Sequence, residues 1–172
     1  MAILVLTFMG DDRPGLVNQL SEAVQKCDGN WLTSRMTQLE GKFAGVAKIE
    51  VSQENSDNLT RTLKSQFSDS LTLFTEQVTQ REQQDNTTAL VEVIGPDRPG
   101  IIQEVTLVFA NAGLNVINFN SDVTLAAMTG TPMFAANAEI EFGSKQPASE
   151  LAQQLSEAAM HLGVDIDLKV EP

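Results

Sequence analysis

The chain is poor in the groups that carry most protein chemistry. Its 172 residues include one cysteine, Cys27, one histidine, His161, and one tryptophan, Trp31. A lone thiol excludes an internal disulfide and a multi-thiolate metal site, which fits a reducing compartment. A lone imidazole near the end of an acidic helix reads as a surface residue, because a general base needs an orienting partner and a nearby nucleophile. No apolar run approaches the roughly 20 residues that span a bilayer. The opening segment MAILVLTFMGDD lacks the basic start and small-residue cleavage site of a secretory signal. The expectation is a cytoplasmic protein with no membrane partner. P-loop, HExxH, CxxC and GxSxG patterns are missing as well, so the sequence offers no catalytic residue, no metal ligand and no cofactor.

Basic charge is also scarce. Eleven Lys and Arg stand against 23 Asp and Glu, a formal charge of −12, and the basic residues are scattered singly. A phosphate backbone would repel such a surface, so direct binding to nucleic acid is not expected.

What the chain does contain is a repeat. GDDRPGL at 10–16 returns as GPDRPGI at 95–101, an offset of 85. A tetrapeptide recurring somewhere in a chain of this length has a chance of roughly one in five at ordinary residue usage, so the flanks must carry the argument. Leu16, Val17, Leu20, Ala23, Val24 and Cys27 are matched at the same offset by Ile101, Ile102, Val105, Val108, Phe109 and Ala112. That six-fold agreement has odds of roughly one in a hundred by itself. Asn30 and Asn115 keep the offset too. The chain therefore reads as two copies of one unit, residues 1–82 and 88–172, joined by a polar linker at 83–87.

Each matched stripe has helical spacing, which predicts helices over 14–27 and 99–112. Pro14 and Pro99 suit the first helical position. An apolar strand-like run precedes each helix, and CDGN or NAGLN stops it. Two-strand stretches follow: WLTSRMTQL turns at Glu40-Gly41-Lys42 into FAGVAKIEV, and VINFNSDVTL returns as MFAANAEIEF after a longer, protruding loop at AAMTGTPM. Met128 and Met133 flank that loop, where they either offer an adaptable contact or pack back on the sheet. A second helix carries Leu59, Leu63 and Phe67 in one copy and Leu151, Leu155, Ala158 and Leu162 in the other. A closing strand such as VDIDLKV alternates strictly. The order β-α-β-β-α-β gives an α+β fold of two ferredoxin-like units with antiparallel sheets. Open sheet edges predict pairing between units or between chains, so a homodimer is one possible assembly.

The turn itself has a chemistry. A helix N-terminus presents free N–H groups that suit a carboxylate, and Gly15 and Gly100 remove a side chain that would block approach. Asp12 and Asp97 can accept an ammonium, and Asn30 or Asn115 can bridge to either end. This set fits the zwitterion of a free amino acid. The structural alternative is equally definite: Asp12 and Asp97 cap the helices, the glycines serve conformation alone, and the asparagines tolerate a turn. Arg13 and Arg98 are expected to pair with nearby acids.

A strand ending in Gly-x-Asp-Arg-Pro-Gly, an apolar helix, and a Gly-Asn or Gly-x-Asn stop resemble the ACT-domain family of small-molecule-sensing modules, across nearly the whole chain. Two such units alone, with SRMTQLEGKFAG at 34–45, further resemble the glycine cleavage system transcriptional repressor family. The resemblance implies a non-catalytic regulator that responds to an amino acid such as glycine and acts by contact with a DNA-binding transcriptional activator protein. It implies ligand residues Asp12, Gly15 and Asn30 in the first unit and Asp97, Gly100 and Asn115 in the second. The second copy is closer to the ACT pattern, because Trp31 stands in the first beside the expected pocket; if one turn binds, the second is favoured. A ligand-independent interaction module is the alternative function.

Overall fold

Alternation of apolar residues at period two, then at helical period, then twice more at period two, is realised twice along the chain. The computed structural model describes residues 1–79, 86–143 and 147–170. The first unit runs β1 (Ala2–Asp11), α1 (Leu16–Lys26), β2 (Asn30–Leu39), β3 (Lys42–Val51), α2 (Ser56–Phe67) and β4 (Leu71–Val78). The second runs β5 (Asn86–Pro96), α3 (Ile101–Asn111), β6 (Asn115–Leu125), β7 (Pro132–Gly143), α4 (Ala148–Leu162) and β8 (Asp165–Val170). The sheets have the same order, β2-β3-β1-β4 and β6-β7-β5-β8, and every pair is antiparallel. These are two ferredoxin-like α+β units, as the pattern predicts.

Each unit has its own core. Leu4, Leu6 and Phe8 of β1 alternate inward onto Leu20 and Val24 of α1 and Leu59, Leu63 and Phe67 of α2. In the second unit Val91 and Val93 of β5 meet Val105 and Phe109 of α3 and Leu151 and Leu155 of α4. Ala159, and not Ala158, completes the buried stripe of α4. On the opposite face of the second sheet the register aligns Glu92, Glu139, Asp165 and Asp167, with Lys169 paired to Glu92 at 2.6 Å. The strand period thus separates a buried apolar face from an exposed one on which these acids stand beside Leu90 and Ile94.

Three expectations need adjustment. The helices begin at Leu16 and Ile101, two residues later than the spacing suggests, because Gly15 and Gly100 take φ values of +82° and +90° and cannot continue a right-handed helix. Pro14 and Pro99 therefore lie before the N-cap and not at the first helical position. Strand β5 begins at Asn86, which pairs with Gly143, so Asn86 and Thr87 belong to the sheet and not to a linker; residues 83–85 of the expected linker lie outside the described residues. The chain divides into compact units at Met1–Glu82 and Gln83–Pro172. The β2–β3 turn is tight, with Glu40 and Gly41 both at positive φ, the geometry that matches strand twist in a two-residue hairpin. The β6–β7 loop is longer, closed by Ala126 N–H donating to the Thr131 carbonyl at 2.9 Å, with Met128 fully exposed at its tip.

Candidate functional site

The repeated turn is fixed by its two outer glycines for different reasons. A Cβ on Gly95 would lie 2.5 Å from Val164 Cγ1, and one on Gly10 would strike the Ser70 carbonyl. The first glycine therefore lets the α4–β8 or α2–β4 connection lie against the strand. At Gly15 and Gly100 an added Cβ would meet nothing within 4 Å, yet both residues are left-handed. Glycine is required there by backbone conformation, and the space in front of it is open. The backbone between is pinned to the neighbouring hairpin: Asp12 N–H donates to the Gly41 carbonyl at 2.9 Å and Asp97 N–H to the Pro132 carbonyl at 3.0 Å.

The capping alternative for the aspartates does not hold. The N-cap residues are Gly15 and Gly100, and neither helix receives a side-chain cap. Asp12 and Asp97 are exposed and free of that duty. The first intrahelical bonds run from Gln19 to Gly15 and from Glu104 to Gly100, and the Leu16 and Ile101 N–H groups donate to the Arg13 and Arg98 carbonyls at 3.4 and 3.2 Å, so the N–H groups of the next two residues of each opening turn have no carbonyl behind them inside the helix. What remains is an uncapped helix end beside a free carboxylate.

The arginines of the turn are engaged elsewhere. Arg98 grips Glu104 with two hydrogen bonds, 2.8 and 2.5 Å, and donates a third to the Leu162 carbonyl at 3.2 Å. The Glu104 carboxyl is held below the usual range by the hydrogen bond from Arg98, and the guanidinium is raised by the same bond. Arg13 makes the equivalent contact to a neutral partner, Gln19 Oε1, at 2.8 Å. Pairing with a nearby acid is thus found at Arg98, and the arginine of each turn reaches along its helix.

The asparagines lie at the other end of the unit. Asn115 pairs with Glu141 and donates to its Oε2 at 3.3 Å, whereas Asp97 meets Pro132. Nine strand residues separate those positions, roughly 30 Å at ordinary strand rise. Asn30, opposite Glu50, is equally far from Asp12, which meets Gly41. Within one unit the fold therefore brings together Asp97 with Gly100 and Asp12 with Gly15, and leaves Asn115 and Asn30 apart from them.

Only structure adds the next wall. The second turn opens onto a cleft of about 470 Å³ lined by Asp97, Arg98 and Gly100 of the turn and by Ser121, Asp122 and Val123 of β6, with Ile101, Ile102 and Phe134 completing it. Ile101 and Phe134 are buried, while Ile102 and Val123 remain 47% and 50% exposed. The signal was present in the helical stripe: Ile102 and its counterpart Val17 are the two matched positions that the cores leave exposed. A cleft of about 320 Å³ in the first unit is lined by Gly10, Asp11, Lys42 and the α2–β4 connection, and touches neither Asp12 nor Gly15. Trp31 packs against the first core.

Among the described residues no group of acidic, histidine or cysteine side chains could hold a metal ion, and no helix is long and apolar enough to cross a membrane. Cys27 is buried, and Asn58 Nδ2 approaches its Sγ at 3.7 Å. His161 is exposed.

Comparison with known proteins agrees with the fold. Residues 2–75 match the family model of the ACT domain. An unknown protein from Galdieria sulphuraria superposes with a TM-score of 0.87 at 26% identity, over 99% of this chain and 99% of that one. A candidate glycine cleavage system transcriptional repressor superposes with a TM-score of 0.74 at 20% identity, over 99% of this chain and 97% of the other. No curated protein matches the chain.

Proposed function

Two ACT-type units in tandem make up this chain, the first matching the ACT domain itself, and from that premise we propose an amino-acid-responsive, non-catalytic regulator that works by contact with a protein partner. The observation that carries the reading is the second turn: an uncapped helix end, a free Asp97 carboxylate and an open cleft in one place. The helix end suits the carboxylate of an amino acid and Asp97 suits its ammonium. Arg98 stays with Glu104 and keeps the turn in shape. The ligand residues of this proposal are Asp97 and Gly100; Asp12 and Gly15 form the same turn in the first unit. Asn30 and Asn115 are kept as ligand groups only for a molecule bound elsewhere than at the turn of their own unit.

The partner is a protein and not a nucleic acid, because the formal charge of −12 opposes phosphate. A DNA-binding transcriptional activator fits, since such proteins carry basic surface. Repression of the glycine cleavage system through that activator is the specific form of this proposal, resting on the sequence resemblance. Isothermal titration of the full chain with a panel of free amino acids tests the sensor. Heat with at least one of them, lost in Asp97→Ala, is the expected result; silence with every one, partner present or absent, would sink it.

A further inference from the structure

The two units differ at the floor and wall of the place where a ligand would sit. In the first unit Met36 of β2 lies opposite Gly45 of β3, packs against the core, and would meet any Cβ on that glycine at 2.8 Å from its Cγ. At the same register in the second unit Ser121 lies opposite Ala136. The small serine leaves open what methionine fills. Two residues on, Gln38 opposite Phe43 is replaced by Val123 opposite Phe134. At this one position an apolar side chain has replaced a polar one, in a wall that also carries Ser121 and Asp122.

We propose that the cleft of the second unit selects amino acids with branched aliphatic side chains, such as valine and isoleucine, over glycine. This rests on the reading that the cleft receives a free amino acid, and it is independent of which partner the protein contacts. Ile102 comes from the first turn of α3 and Val123 from β6; both line the cleft and both stay half exposed. A zwitterion anchored by the helix end and Asp97 would carry its α-substituent into this cleft. Glycine has nothing to place there, and about 470 Å³ is far more room than it needs. Each methylene covered is worth roughly fourfold in affinity. Covering about two of them, as a half-exposed wall permits, gives at least about tenfold.

Titration of the full chain with glycine, L-valine and L-isoleucine, on the wild type and on Val123→Gln and Ser121→Met, decides the matter. The expected result is valine and isoleucine at least about tenfold tighter than glycine. Val123→Gln should bring that ratio close to one. Ser121→Met should block all three ligands, because Ala136 denies the methionine the seat that Gly45 gives Met36 and turns it into the cleft. A circular-dichroism melt checks that each variant folds, and Val123→Gln, at an exposed position, serves alone if Ser121→Met does not. Equal affinities for glycine and valine, or an unchanged ratio in Val123→Gln, would overturn the selectivity and leave the amino-acid reading intact. No binding of any of the three would overturn the selectivity too; binding of other amino acids from the panel would then separate that failure from the failure of the sensor.

Discussion

Asp97 is the residue at which stability and function come apart. It caps nothing and is exposed, so Asp97→Ala should change unfolding free energy by no more than about 0.5 kcal/mol, the usual range for a surface substitution. Denaturant melts check this, and a loss of 1 kcal/mol or more would restore a structural role. Gly100 is the reverse case. An alanine there meets no atom but must hold φ near +90°, which costs about 1–2 kcal/mol. The sequence made both residues candidates through the repeated motif. It did not reveal which glycine is needed for close packing and which for backbone conformation, since Gly95 meets Val164, a residue distant in sequence.

At the scale of the element, the helices were legible because their apolar stripe repeats at a matched offset. Their starting points were not, since a left-handed glycine interrupts the geometry and not the hydrophobic pattern. Asn115 teaches a related lesson. It shares the motif with Asp97, but the eleven-residue α3 stands between them, and a helix of that length carries the chain about 16 Å along its axis. Conserving sequence spacing says nothing of spatial proximity. The buried stripe supports a direct test: Phe109, fully buried, should cost about 3–5 kcal/mol on truncation to alanine. The Arg98–Glu104 link adds a pH dependence. The carboxyl of Glu104 is lowered in the folded state, so its contribution is present above the ordinary glutamate range and is lost as pH falls through the lowered value. Thermal melts of wild type and Glu104→Gln should differ at neutral pH and converge in acid; a constant gap would mean that the pair's charge is irrelevant.

For the whole molecule, charge and duplication set the terms. Part of the acidic composition lies on the outer sheet face of the second unit, where Glu92, Glu139, Asp165 and Asp167 stand beside exposed Leu90 and Ile94. Association with a basic partner should weaken as salt rises and slow mainly in its on-rate. Stopped-flow or biosensor measurements at two ionic strengths check this, and a salt-independent rate would point to an apolar contact. Duplication was fully legible, and so was the fold of each copy. The divergence between copies was not, because Met36 and Ser121 look unremarkable until the register sets them opposite Gly45 and Ala136.

That pair of exchanges has a consequence for stoichiometry. A protein with two copies of one turn invites the assumption of two ligands per chain, but the methionine seated on Gly45 occupies the equivalent space in the first copy. Saturation should come at one amino acid per chain, and Met36→Ser joined with Gln38→Val should raise it to two. Duplication would then have yielded one copy that reads a ligand and one that carries the same frame with its receptor filled from within.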